Sequence, residues 1–309
     1  MHFEKAIGKP QLGLNMHPQW LGDGKAGDFL FPLRERGLSV LEFTLNLSSS
    51  DWPEMRSLIE ECHQLGFRVT FHAPYKAPHN PAGFSGAERD EVVRLYRPAL
   101  AYAARIAEAA GATTLVVHGA KGNSPREELR RDTRAFLAWI LEKFPGLSPC
   151  IELLVKEERT NKIGDNKAEL AEIVSGPSTG LRPALKRSEV AGLGLPEVGI
   201  CWDLGHDACN GSVAAPPGFI ASVRHVHVHD ISPNGEDHNP LVFGNVSYED
   251  YLRRLNQAGY RGAIILEVDG QRVSRFAATQ GKHPRQILQD NLLLLEAMID
   301  TSVSKPQHP

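Results

Sequence analysis

Histidines and carboxylates recur at one kind of place in this sequence, the ends of short apolar runs. Thr70-Phe71-His72 closes one run, Val116-Val117-His118 another and Cys150-Ile151-Glu152 a third. Cys201-Trp202-Asp203 leads into Leu204-Gly205-His206, His225-Val226-His227-Val228-His229-Asp230 alternates imidazoles with valines, and Ile265-Leu266-Glu267 completes the series. Before that last run comes a polar loop with Glu236-Asp237-His238. Imidazole nitrogen mixed with carboxylate oxygen is ligand chemistry for Zn, Mn, Fe or Co. A carboxylate among apolar neighbours, as Glu152 and Glu267 are, is costly to bury unless it is paired or metal-bound. One such histidine is easily a hydrogen-bonded core residue. Coincidence at successive run ends is harder to explain by packing, and it predicts a divalent-metal centre.

His225, His227 and His229 alternate, so all three face one side of a strand and cannot be inner ligands at one depth. His229, nearer the end, is expected to contact substrate, and His225, deeper, to be structural. Glu42 is left outside the metal set, as a salt-bridge partner or a group that orients a ligand. His79, in a loop rich in Pro and Gly, is read as solvated, and Trp202 as core or sheet wall.

The elements that must position these side chains alternate regularly. Strands are expected near 11–17, 39–46, 67–73, 113–119, 149–155, 198–204, 223–230 and 262–269. Several are rich in Val and Ile without polar alternation, which suits a parallel sheet buried on both faces. Helices are expected at 52–65 (Asp51 as cap, Gly66 as stop), 87–110 (ending at Gly111), 125–143, 247–258 (Ser247 to Gly259) and 283–299. The last carries Leu288, Leu292, Leu295 and Ile299 at helical spacing. Strand and helix repeating in this way predict a single-domain (β/α)8 TIM barrel, in which the strand ends converge on one rim. An open doubly wound sheet would bring a Gly-rich phosphate loop, and none follows any strand. The whole chain, 1–309, is read as one domain. Residues of about 156–197 form an excursion with one helix near 166–175, either a lid or a surface insertion, and about 301–309 a short flexible tail.

Composition narrows the function classes. Thirty-four basic residues against thirty-seven acidic ones leave a net charge of -3, so no global basic field draws nucleic acid. Arg126, Arg130, Arg131 and Arg134, interleaved with acids, read as a solvated helix face. The four cysteines form no Cys-x-x-Cys pair, which suggests reduced thiols and a cytoplasmic protein. No apolar run reaches membrane-spanning length.

The ordered set His72, His118, Glu152, Asp203-x-x-His206, His227-x-x-Asp230, His238 and Glu267 resembles the xylose-isomerase-like barrel superfamily, which includes sugar phosphate isomerases and epimerases, and endonuclease IV. The likeness covers nearly the whole chain. By position, Glu152, Asp203, His227 and Glu267 match the metal site shared by epimerases and endonuclease IV. The resemblance implies that Glu152 also bridges to a second metal on His72 and His118. It places His206 and His238 on a third, with Glu236 where the carboxylate is ordinarily Asp. One to three ions of Zn, Mn or Co follow. Departures from the endonuclease IV pattern are Leu153 in place of Asn, Val242 in place of the first Gly of Gly-x-Gly, and Asp203-Leu204-Gly205-His206 in place of Asp-Thr-Cys-His. Tyr75 matches a position near the DNA of endonuclease IV, but His-x-Pro-Tyr also occurs in the sugar enzymes. The resemblance implies a metal-dependent sugar or sugar-phosphate isomerase/epimerase, with Glu152 and Glu267 as the proton-transfer pair and Tyr75 and His229 at a small-molecule sugar. Alternatives are an endonuclease IV-like zinc phosphodiesterase acting on abasic DNA, and a metal-dependent dehydratase/lyase or non-catalytic sugar-binding barrel. Homologous barrels often form homo-oligomers.

Overall fold

The computed structural model describes residues 9–21, 26–46, 52–175, 195 and 197–304. Its ten strands, among the described residues, are β1 Gln11–Asn15, β2 Leu38–Thr44, β3 Arg68–His72, β4 Thr113–Val117, β5 Lys121–Gly122, β6 Leu147–Glu152, β7 Asn161–Lys162, β8 Gly199–Asp203, β9 Val223–Val228 and β10 Ala263–Leu266. Eight of them close into a barrel in the order β1-β2-β3-β4-β6-β8-β9-β10, with β10 returning to β1 and every pair parallel. The expected (β/α)8 architecture is therefore the observed one.

The helices are α1 Ala26–Glu35, α2 Trp52–Gln64, α3 Arg89–Ala110, α4 Arg126–Lys143, α5 Lys167–Ser175, α6 Leu204–Cys209, α7 Tyr248–Gln257, α8 Gly270–Thr279 and α9 Pro284–Ser304. Three of these, α1, α6 and α8, are absent from the sequence expectation. Pro32 sits inside α1 and reads as a breaker. The six-residue α6 is too short to show a period, and its start is fixed by Asp203, whose side chain accepts from the His206 N–H. Asp269 caps α8 in the same way, on the N–H groups of Gln271 and Arg272. The predicted tail is partly helix, since α9 continues through Ser304 while 305–309 lie outside the described residues. The helix expected near 166–175 is α5; most of the irregular structure expected after it also lies outside the described residues.

Strand alternation fills the lumen in layers. Val40, Ala263 and Ile265 pack together, and Val116, Cys150 and Cys201 form another patch. One step further along the strands the inward positions become Glu42, His72, Glu152, Asp203 and His227, all buried. Trp202, the outward neighbour of Asp203, is fully buried and packs edge-on against Phe219 and Tyr251.

The excursion after β6 is tied to the rim at two places. The antiparallel pair β5–β7 lays Ile163 over Gly119, where a side chain would meet the Ile163 carbonyl oxygen at 2.3 Å. Lys167 at the start of α5 is buried, with Nζ 2.7 and 2.8 Å from the Asp207 carboxylate, which also accepts from Trp202 Nε1 at 2.8 Å. The arginines of α4 are not simply solvated, because α5 comes to lie beside them. Arg126 pairs with Asp165 and Glu169, Arg130 with Glu127 and Glu172, and Arg134 donates to the Glu172 carbonyl. His79 is likewise half-buried rather than solvated, packed edge-on against Tyr96.

Candidate metal centre

His72 ends β3 and His118 follows β4. The His72 Nδ1 lies 2.9 Å from the Ala73 carbonyl oxygen, so its proton sits there and Nε2 is left facing Glu152 Oε2 at 3.0 Å. His118 Nε2 is 2.8 Å from the same oxygen. Burial alone would lower the pKa of His72, but Glu152 outweighs it and the imidazole is pushed up to about 9. In His118 burial wins, and its pKa falls.

Glu152, the last residue of β6, faces a second set with its other oxygen. His227 Nδ1 is 3.4 Å from Glu152 Oε1, 2.7 Å from Glu267 Oε2 and 3.9 Å from Asp203 Oδ2. Ligand atoms of Glu152, Asp203, His227 and Glu267 all lie within 4.8 Å of one another, as do those of His72, His118 and Glu152. Asp203 Oδ2, His227 Nδ1 and Glu267 Oε2 are buried and form no hydrogen bond. Donor and acceptor atoms this close, yet not aligned on each other, point at a common centre between them. Buried polar atoms are otherwise almost always satisfied. The residues fit a divalent cation bound by carboxylate and imidazole.

Below this set, Glu42 is fully buried, with Oε2 accepting from His225 Nε2 at 2.7 Å and Oε1 3.0 Å from His227 Nε2. Asn15 donates to it at 3.2 Å. Burial would raise the Glu42 pKa, yet His227 and His225 hold it well below the ordinary carboxylate range. A carboxylate on the far nitrogen of a ligand imidazole fixes its tautomer and orientation.

The rim is built by loops. Asp230 accepts backbone N–H groups of Ile231, Phe243, Gly244 and Asn245, and this folds the segment that carries His238. The carboxylate turned to the site there is Asp237, not the expected Glu236. Its Oδ1 is 3.0 Å from His238 Nδ1 and from Arg272 Nη1, and its Oδ2 3.9 Å from His206 Nε2. Ser232 and Asn239 clamp the backbone of Glu236 in a turn; neither its carboxylate nor that of Asp237 belongs to a ligand group, and it is Asp237 that lines the cavity. His206 Nδ1 lies 3.0 Å from the Leu153 carbonyl oxygen, so Nε2 is its ligand-capable atom.

A cavity of about 340 Å³ opens above the set, lined among others by Tyr75, His118, Glu152, Lys162, His206, Asp237, His238 and Glu267. Tyr75 stacks on His118 at 4.6 Å; burial, then Glu267 and Glu152, raise its pKa and keep the hydroxyl a donor. His229 is not on this wall. It is fully buried behind Asp203, with Nε2 3.0 Å from Asp203 Oδ1, which corrects the expectation that it meets substrate. The sequence also gave no sign of Lys162, which arrives on the excursion strand β7. Nor did it mark His17, which packs on Trp20 after β1 and whose pKa falls through burial despite Asp269 and Glu267 nearby.

Comparison with known proteins agrees with this architecture. An uncharacterized protein of Methanocaldococcus jannaschii is 26% identical over 222 residues, 69% of this chain and 68% of its own. Among solved structures, a D-tagatose 3-epimerase-like protein superposes with a TM-score of 0.58 at 18% identity, over 94% of this chain and 99% of that one. The D-allulose 3-epimerase from Methylomonas sp., in complex with D-allulose, gives 0.59 at 14% identity, over 94% and 98%. The IOLI protein with a binding zinc atom gives 0.62 at 12% identity, over 96% and 100%. At these identities the structures speak for the fold. The model of one family, the xylose isomerase-like TIM barrel, matches residues 32–298, and the chain belongs to that family.

Proposed function

We propose that this chain is a divalent-metal-dependent isomerase or epimerase of sugars or sugar phosphates, acting by proton transfer at a carbon beside a carbonyl. The observation that carries this reading is the convergence of Glu152, Asp203, His227 and Glu267, with Asp203 Oδ2, His227 Nδ1 and Glu267 Oε2 buried and without hydrogen bonds, beneath a cavity that Glu152 and Glu267 line. When bound there, a Zn, Mn or Co ion would polarise the carbonyl and stabilise charge developing on its oxygen.

The other work falls to side chains. Glu152 and Glu267 form the proton-transfer pair, one accepting a proton from the carbon and the other returning one. Burial works against it, but neighbouring histidines hold both below the ordinary carboxylate value, so both start as bases. The member that returns a proton must first receive one; His72, raised to about 9 and with Nε2 3.0 Å from Glu152 Oε2, is placed to supply it. Tyr75 and Lys162 on the wall are donors for substrate hydroxyls. A family fold shared with an epimerase solved in complex with D-allulose supports a small sugar as ligand.

The test is solvent exchange. Protein loaded with Mn²⁺, Co²⁺ or Zn²⁺ is incubated in D₂O with a panel of ketoses, aldoses and their phosphates. Deuterium is expected at the carbon beside the carbonyl, and its incorporation should vanish in Glu152→Gln and Glu267→Gln. The adjoining His72–His118–Glu152 group favours one second reading, a zinc phosphodiesterase acting on abasic DNA. Cleavage of an abasic duplex, with no exchange into any sugar, would establish that reading and end the first.

A further inference from the structure

The described residues that line the cavity carry four carboxylates, Glu152, Glu157, Asp237 and Glu267, against a single lysine or arginine, Lys162. Glu152 and Glu267 belong to the metal set, and Asp237 pairs with Arg272 and His238. Glu157 and Lys162 pair with each other. Lys162 Nζ forms an ion pair with Glu157 Oε1 and donates to the Val155 carbonyl oxygen at 3.2 Å. The Lys162 side chain is 12% exposed and that of Glu157 44%.

The backbone that carries this pair is pinned at several points. The Leu154 N–H donates to the Gly164 carbonyl at 2.9 Å, and the Ile163 N–H to the Ala120 carbonyl at 2.9 Å. Asn210 Oδ1 accepts the Lys156 N–H at 2.9 Å, and its amide donates to the Leu154 carbonyl at 2.9 Å. Gly164 lets the chain return over the end of β6: its φ is 119°, and a Cβ there would stand 2.7 Å from the Glu152 carbonyl oxygen. The segment is therefore fixed relative to the residue that joins the two ligand groups.

An ammonium has three hydrogens and a carboxylate two oxygens. Lys162 directs hydrogens at Val155 and Glu157, and Glu157 meets Lys162 through Oε1. A donor and an acceptor are left side by side, which matches adjacent hydroxyls, since each hydroxyl both donates and accepts. A phosphoryl group offers only acceptors and negative charge, and at Lys162 it would also stand against Glu157. Lys121 lies directly across the β5–β7 pair from Lys162, but it is exposed and outside the described lining. The cavity, about 340 Å³, is at the small end of ligand pockets, about 300–1,000 Å³, which suits one sugar unit.

We propose that the Glu157–Lys162 pair selects the substrate: it takes adjacent hydroxyls of an uncharged monosaccharide, beyond the reacting carbons, and turns away the phosphate ester of the same sugar. The proposal rests on the isomerase reading above and narrows it to free sugars. A repulsive element beside an attractive one is a common source of such discrimination.

The probes are ketoses and aldoses of five and six carbons, each paired with its terminal phosphate ester, on Mn²⁺-loaded protein. Calorimetry reads binding, and deuterium exchange in D₂O reads proton transfer. The wild type is expected to favour a free sugar over its own ester about tenfold or more in both. Glu157→Gln removes the charge and keeps an acceptor, so the dissociation constant of the ester should fall about tenfold while that of the free sugar changes little. Lys162→Met keeps the apolar stem; it should weaken the free sugar about tenfold or more and admit no ester. A wild type that takes esters as well as free sugars, or better, overturns the selection and leaves the isomerase reading standing. An unchanged ratio of sugar to ester affinity in Glu157→Gln does the same. If no sugar in either form exchanges, the isomerase reading falls and this proposal falls with it.

Discussion

Glu42 illustrates what residue-level reading can reach. The sequence set it inside the barrel and allowed it to orient a ligand; the structure places it on the far nitrogen of His227, with His225 as its second partner. Replacing it by Gln removes the charge that holds His227 with Nδ1 toward Glu152 and Glu267. Loss of such a partner costs about 10–100-fold in metal affinity. Competition of Glu42→Gln against a chelator of known affinity should show this loss, and unchanged affinity would make Glu42 a mere core ion pair. The convergence of the strand-end histidines and carboxylates was legible because strand alternation fixes their direction. Asp237 and His229 were not, because backbone hydrogen bonds in a loop decide which of Glu236 and Asp237 faces inward, and the seat of His229 behind Asp203 depends on the space left at Gly205.

At the scale of elements, long strands and helices with clear caps could be read from the chain, and elements made by tertiary contacts could not. The pair β5–β7 has two residues in each strand and no sequence period, yet it brings Lys162 to the cavity. The start of α5 is held through Lys167 and Asp207, whose side chains are 6% and 1% exposed. Removing one partner of a buried ion pair strands the other, at about 3–5 kcal/mol. Lys167→Ala is therefore expected to lose about 3–5 kcal/mol in urea unfolding, with part regained in the double variant Lys167→Met, Asp207→Asn. A loss below about 1 kcal/mol, the range of exposed pairs, would show that the excursion is not anchored there.

For the molecule as a whole, barrel closure was the most legible feature, since buried parallel strands alternating with helices leave few other topologies. Its stability should depend on protons and metal in opposite ways. In the metal-free protein His72 is raised from 6.5 to about 9, so the stability from its pairing with Glu152 is fully present below pH 6.5 and is lost as pH rises through 9. Glu152 is depressed below 4.5, so its share is present above pH 4.5 and lost as pH falls through its folded value. Chelator-treated protein should thus melt at a lower temperature at pH 9 than at pH 6. Metal needs the deprotonated imidazole, so the gain in Tm on adding Zn²⁺ or Mn²⁺ should be larger at pH 9. Thermal unfolding with and without metal at both pH values checks this; a metal-induced gain that is equal at the two would contradict it.

Glu152 belongs to two of the ligand groups, and if both of these take cations, loading would be a sequential affair. The first cation to arrive would draw electron density from a carboxylate that a second must share, and the second would meet the charge of the first. Filling should follow a staircase rather than a single saturation curve, with a singly loaded form persisting over a span of free-metal concentration. The supply of metal in the surroundings would then select which form of the protein is on hand.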